Sequence, residues 1–210
     1  MDCWKFTPYD IKKWNKAEER ILFVASEPNG DNPYGEKDMG HWFRFAAENN
    51  YYNNRPFFRR CEIMLNGIND KNNGNVFDNF RLMDLKATSG GSIPDTNAVR
   101  NYVKDHMNEV IEYFKSTDEE FGLSPHIIVL LGNTAQSIFC ELIIINELFR
   151  KKVNGENLKW VGMPQPAAQV GYKGLESASK NIRQHLKPIN EQAEKWVYDK
   201  NKFDNWRSIS

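Results

Sequence analysis

Four short apolar segments, each ending in a loop of turn-forming residues, limit this chain to few folds. The segments are residues 21–25, 80–85, 126–131 and 158–163, and helix-like stretches separate them. The first segment is a continuous apolar run, which is typical of a strand buried on both faces. Strands that alternate with helices form a parallel sheet through right-handed crossovers, so the sequence predicts the α/β class. We expect three α/β/α layers around a central four-stranded parallel sheet.

The helix best marked by the sequence lies between the second and third predicted strands. Asp95 or Thr96 is a suitable N-cap, and apolar residues follow at helical spacing as far as Phe114. A second helix should begin after Gly132, and a last amphipathic helix should cover residues 175–186. No repeat or linker divides the chain, so we predict one domain over residues 1–210, with a lead-in at 1–20 and a polar tail at 190–210.

Composition restricts the partners and the compartment. The 28 basic and 28 acidic residues give a formal net charge of zero, so a nucleic-acid site would have to be a local patch. The isolated cysteines, Cys3, Cys61 and Cys140, argue against a disulfide framework, a zinc site and an iron–sulfur cluster. No apolar stretch has membrane length, and the N-terminus lacks the core of a signal peptide. We expect a cytoplasmic monomer without membrane contact.

Two carboxylates follow the first predicted strand. Glu27 and Asp31 lie in a loop that also contains Pro28, Gly30 and Pro33, and this loop cannot continue the strand. Ligands of open α/β sheets bind beyond the carboxyl ends of the strands, so both acids are placed where chemistry is usual. The alternative is an ordinary polar turn, in which Glu27 caps a backbone amide.

The four strand-end segments together resemble the uracil-DNA glycosylase superfamily over residues 21–187. Val24-Ala-Ser-Glu-Pro-Asn-Gly30 is similar to the family's GEAPG-type loop, and Leu82-Met-Asp-Leu-Lys86 to the strand end that reads the base. Ile128-Val-Leu-Leu-Gly-Asn-Thr-Ala135 resembles the LLGxxA turn that touches DNA phosphate, and Val161-Gly-Met-Pro-Gln-Pro166 resembles the HPSP loop. Two departures stand out: Asp84 occupies the place of the base-reading Asn, and Met163 that of the catalytic His.

The resemblance implies a DNA glycosylase that removes a flipped base without a metal or an organic cofactor. The family's carboxylate orients water and stabilises an oxocarbenium-like sugar, a role that falls to Glu27 first and to Asp31 second. Because Met163 cannot donate a hydrogen bond, the leaving base would need Gln165 or a backbone amide of the loop, or the role is unfilled. His41 and His126 are other candidate donors, although His126 begins a strand and fits a structural role better. The ionised carboxylate of Asp84 suits an exocyclic amine, whereas a buried, protonated Asp84 could donate. The alternative for Asp84 is an ordinary ion pair with Lys86 or Arg81.

The same resemblance assigns residues to the base pocket and to DNA. A flipped base needs an aromatic shelf, for which Phe43 is the first candidate, with Trp42 and Phe45 as alternatives and Tyr34 at the pocket floor. Core packing is the other interpretation of these rings. The predicted DNA contacts use charge and short polar donors; they are Lys86, Ser89, Asn133, Thr134, Gln165, Gln169 and Lys173.

Two other functions remain open from the sequence. A non-catalytic DNA-binding or sensing module on the same fold would account for Met163 and for the neutral net charge. A nucleotide-binding α/β protein would use the turn Gly132-Asn-Thr134 to direct a helix N-terminus at phosphate. That second alternative lacks the GxxxxGK[ST] and GxGxxG patterns.

Overall fold

Each apolar segment of the predicted sheet forms a strand in the computed structural model. The structure describes residues 11–27, 56–69, 78–86, 95–115, 124–153, 158–163, 179–180 and 182–189. Every residue of the first three strands is buried, including two charged residues of the second strand, Arg81 and Asp84. The strands are β1 (Ile21–Ala25), β2 (Phe80–Asp84), β3 (Ile127–Leu131), β4 (Lys159–Met163) and β5 (Lys187–Pro188).

The sheet has the order β2-β1-β3-β4-β5. The first four strands pair in parallel, and β5 pairs antiparallel with β4. The prediction of the α/β class is confirmed. The predicted strand count was too low, because β5 has only two residues, Lys187 and Pro188, and no apolar run that marks it in the sequence.

Helices connect the strands and cover the sheet. Asp95 caps the first helix after β2 by accepting hydrogen bonds from the amides of Asn97 and Ala98. The predicted single helix ending near Phe114 is two helices, because the first ends with His106 as its C-cap. The helices are α1 (Ile11–Lys16), α2 (Pro56–Ile68), α3 (Thr96–Asp105), α4 (Met107–Lys115), α5 (Gly132–Ile138), a π-helix (Phe139–Ile144), α6 (Glu147–Val153) and a 3-10 helix (Ile182–His185).

Two hydrophobic cores lie on opposite faces of the sheet. Alternate strand residues point to opposite faces, so Leu22 and Val24 join the core formed with α3 to α6, which we call the first core. Phe23 and Ala25 join the second core, formed with α2 and the 3-10 helix. Helices therefore cover both faces of the sheet.

Each core contains one buried cysteine. Cys61, on α2, belongs to the second core, and Cys140, in the π-helix, belongs to the first. Burial raises the pKa of both thiols above the usual value for cysteine. Both side chains therefore act as small apolar groups inside the protein.

The amino-terminal edge of the sheet carries a polar network. The backbone amide of Arg20 donates to Nδ1 of His126 (3.0 Å), and the Arg20 guanidinium donates to the carbonyl oxygen of Ser124 (2.7 Å). Burial and the charge of Arg20 lower the pKa of His126, against a smaller opposing effect of Glu19. His126 thus has a structural role directly before β3, at the opposite end of the strands from the loops that the sequence associates with function. None of the helices in the described ranges is long and apolar enough to cross a membrane.

Candidate functional site

The carboxyl ends of β1 and β2 bring three ionisable side chains together. Ala25 pairs with Asp84, and the Lys86 amide donates to the carbonyl oxygen of Ser26 (2.9 Å), which continues the pairing beyond the strands. Since side chains alternate along paired chains, Glu27, Asp84 and Lys86 occupy the same face as Ala25. The first two predicted strand ends therefore form one site, on the face covered by α2.

Glu27 and Lys86 form a largely buried ion pair. Nζ of Lys86 donates to Oε2 of Glu27 at 2.7 Å, and the two side chains are 14% and 1% exposed, respectively. The other oxygen of Glu27, Oε1, is buried and has no hydrogen-bond partner in the structure as described. Burying a carboxylate oxygen without a hydrogen-bond donor costs free energy. Oε1 is therefore suited to accept a hydrogen bond from a bound water or a substrate group.

Asp84 is the second buried acid of the site. Burial raises its pKa from the usual 3.8 to about 7, and the negative charge of Glu27 adds to the effect. Near neutral pH both protonation states are populated. The neutral acid offers one donor and one acceptor, whereas the ionised form only accepts.

Met163 continues the same row of side chains across the sheet. The pairings Ala25–Asp84, Val24–Leu130 and Leu131–Met163 place equivalent levels of β2, β1, β3 and β4 side by side. Met163 is fully buried in the second core, with Leu131 and Ala25. Its thioether is a packing group that donates no hydrogen bond.

Asn133 and Thr134 lie in the first turn of α5, directly after β3. Gly132 has a φ of 77°, a left-handed conformation that lets the strand turn at once into the helix. Asn133 is exposed, whereas the Thr134 hydroxyl lies 3.2 Å from that of Thr96 at the start of α3. Asn133 therefore has a free surface position, and Thr134 already contacts another helix.

The remaining predicted site residues lie outside the described parts of the chain. The structure brings together Glu27, Asp84 and Lys86, and it places Asn133 and Thr134 after the neighbouring strand. The residues outside are Asp31, Tyr34, Phe43, Ser89, Gln165, Gln169 and Lys173.

The Glu27–Lys86 pair is the feature that sequence reasoning missed. The sequence offered Lys86 as an ion-pair partner of Asp84, but its partner is Glu27. Arg81, the other proposed partner of Asp84, places its guanidinium 5.1 Å from the centre of the Trp14 ring, which belongs to the first core. A usable signal existed: in a parallel sheet Lys86 and Glu27 each lie two residues beyond a paired strand residue.

The described residues contain no group of three or more His, Cys, Asp or Glu side chains suited to a metal ion. No protein-family model matches the chain, and no curated protein matches it either.

Proposed function

We propose that this chain is a divergent uracil-DNA glycosylase-like protein. In this proposal it binds DNA and hydrolyses the N-glycosidic bond of a flipped, deaminated or modified base, and its sheet has the corresponding fold. The observation that carries the proposal is the unpartnered Oε1 of Glu27, buried beside Asp84 at the carboxyl edge of the sheet. The reaction requires no metal or organic cofactor.

Glu27 is suited to the sugar half of the reaction. Loss of the base leaves positive charge on the sugar ring, which a nearby carboxylate stabilises. Lys86 occupies Oε2 and fixes the carboxylate, while Oε1 remains able to accept a hydrogen bond from an attacking water. The buried surroundings strengthen this interaction because little solvent screens it.

Asp84 is suited to bind the base and to assist its departure. In its neutral form the carboxyl donates through O–H and accepts through C=O, as a side-chain amide does. The proton can stabilise negative charge on the leaving base, a role for which Met163 has no donor. In its ionised form Asp84 accepts only, which favours an exocyclic amine over a carbonyl.

Replacement of Glu27 by Gln tests the proposal. Gln keeps the volume and an oxygen for Lys86, but it removes the negative charge, so base release should fall by about 10²–10³-fold. The assay incubates duplexes bearing uracil, hypoxanthine or modified cytosines and cleaves abasic sites with alkali. Glu62→Gln is the control, since Glu62 pairs with Arg59 at 2.8 Å on the surface of α2. Absence of release from all substrates, or equal release by Glu27→Gln, would contradict the enzymatic proposal.

A non-catalytic DNA-binding or sensing module is the second candidate. The buried Met163, in the position where the family has its catalytic His, favours it. Salt-dependent DNA binding without release of any base would select this candidate.

A further inference from the structure

We propose that Lys86 gives the protein a second activity, cleavage of abasic DNA through an imine. Its amine would condense with the C1′ aldehyde of the abasic sugar, and the imine would then promote elimination of the 3′ phosphate. The inference rests on the proposed function because base release creates this aldehyde in the site. Lysine amines form such Schiff bases with carbonyl substrates.

Lys86 is the more accessible member of the ion pair. Its side chain is 14% exposed, whereas that of Glu27 is 1% exposed. Of the two side chains, that of Lys86 is therefore the one that an abasic sugar can reach from solvent. The bond from the Lys86 amide to Ser26 fixes the backbone from which this side chain extends.

Glu27 supplies the proton transfers that the reaction needs. The amine attacks as the neutral form, and Oε2 of Glu27, 2.7 Å from Nζ, accepts its proton. The amine nitrogen bonds to C1′, a proton passes from nitrogen to the former carbonyl oxygen, and Glu27 returns its proton as this hydroxyl leaves as water. The product is a protonated imine with Glu27 again a carboxylate.

Elimination then follows without an oxidant or a reductant. Glu27 removes a proton from C2′, and the electron pair moves through the imine as an enamine. A double bond forms between C2′ and C3′ while the C3′–O bond breaks and the phosphate leaves with its electrons. Water hydrolyses the imine and restores the amine of Lys86.

Lys86 differs in burial from the lysines of two other ion pairs. Lys151 lies 2.7 Å from Glu147, but these side chains are 67% and 72% exposed, and Lys13 lies 3.1 Å from Asp78 on the surface. Among the lysine–carboxylate pairs between described residues, only that of Lys86 combines burial with a second buried acid, Asp84. Lys151 is therefore a matched control for the same contact in solvent.

Borohydride trapping on DNA that already contains an aldehydic abasic site tests the inference. The wild-type chain should form a covalent protein–DNA adduct, because hydride reduces the imine to a stable amine. Lys86→Gln and Lys86→Arg should each lower the adduct yield by more than about tenfold. Lys151→Gln should not change it. Lys86→Arg retains the positive charge but has no amine that can form the imine, so loss of the adduct in this variant separates the nucleophile from a phosphate contact.

A tetrahydrofuran abasic analogue, which has no aldehyde, should give no adduct with any variant. No adduct from the wild-type chain, or an undiminished adduct from folded Lys86→Arg, would overturn the inference. Because the DNA already contains an abasic site, this experiment does not depend on base release by the protein. Base release without trapping would contradict only the imine step, and trapping without base release would contradict only the glycosylase activity.

Discussion

Replacement of Asp84 by Asn should raise the free energy of unfolding at pH 8 by as much as roughly 4 kcal/mol. The pKa of Asp84 is raised from 3.8 to about 7 in the folded chain, by burial and by the charge of Glu27. At pH 8 the folded protein must keep a buried carboxylate ionised beside another acid. Asn has nearly the same shape and never carries that charge.

The sign of this effect fixes its pH window. A raised pKa gives stability that is fully present below 3.8 and is lost as the pH rises through about 7. The difference between Asp84→Asn and the wild type should therefore be smallest near pH 4, grow toward pH 7 and level off above it. Urea unfolding across this range measures the difference.

Two further variants isolate the cause. Asp105→Asn changes an exposed acid near the end of α3 and should give no comparable trend. Glu27→Gln removes the neighbouring charge, so the pKa of Asp84 should fall and the midpoint of the pH dependence should shift to lower pH. A difference between Asp84→Asn and wild type that is independent of pH would show that Asp84 is not buried as described.

Replacement of Gly67 by Ala should destabilise the protein by about 2–3 kcal/mol. A methyl group at Gly67 would lie 2.1 Å from the carbonyl oxygen of Ser179 and 2.7 Å from its carbonyl carbon. Both contacts are with backbone, which cannot rotate away as a side chain can. Glycine therefore lets α2 approach residue 179 closely.

Helix propensity alone would make Gly67→Ala stabilising, which is the opposite of the expected result. In an exposed helix interior Ala is more favourable than Gly by about 1 kcal/mol. Asn66→Ala, at the exposed neighbouring position of α2, provides the control and should be neutral or mildly stabilising. Thermal unfolding of both variants would decide the matter; a more stable Gly67→Ala would mean that α2 and residue 179 are further apart.

The sequence predicted the strands well because their signal is local. Ile21–Ala25 has the predicted bounds, and the other three strands differ from their predictions by one residue at one end. The break at His106 was missed because apolar residues keep their helical spacing on both sides of it. β5 was missed because its pairing with β4 depends on tertiary packing rather than on its own residues.

Part of the site could also be predicted from the sequence. A parallel sheet brings strand ends to one edge, so Glu27 and Asp84 could be expected near each other. The lateral order β2-β1-β3 depends on long-range packing, and only that order makes Lys86 the neighbour of Glu27. The high pKa of Asp84 likewise follows from burial and from a neighbour distant in sequence.

Cys61 and Cys140 lie in different cores, so the reactivity of each thiol reports on local opening of a different layer of the protein. An alkylating reagent reaches each thiol only when the layer above it lifts from the sheet. Alkylation of the native protein, measured peptide by peptide, thus separates local opening of the α2 layer from local opening of the opposite layer. The α2 layer packs on the face of the sheet that carries Glu27, Asp84 and Lys86. Repeating the alkylation with the proposed ligand, DNA, would show whether binding slows the opening of both layers or of only one.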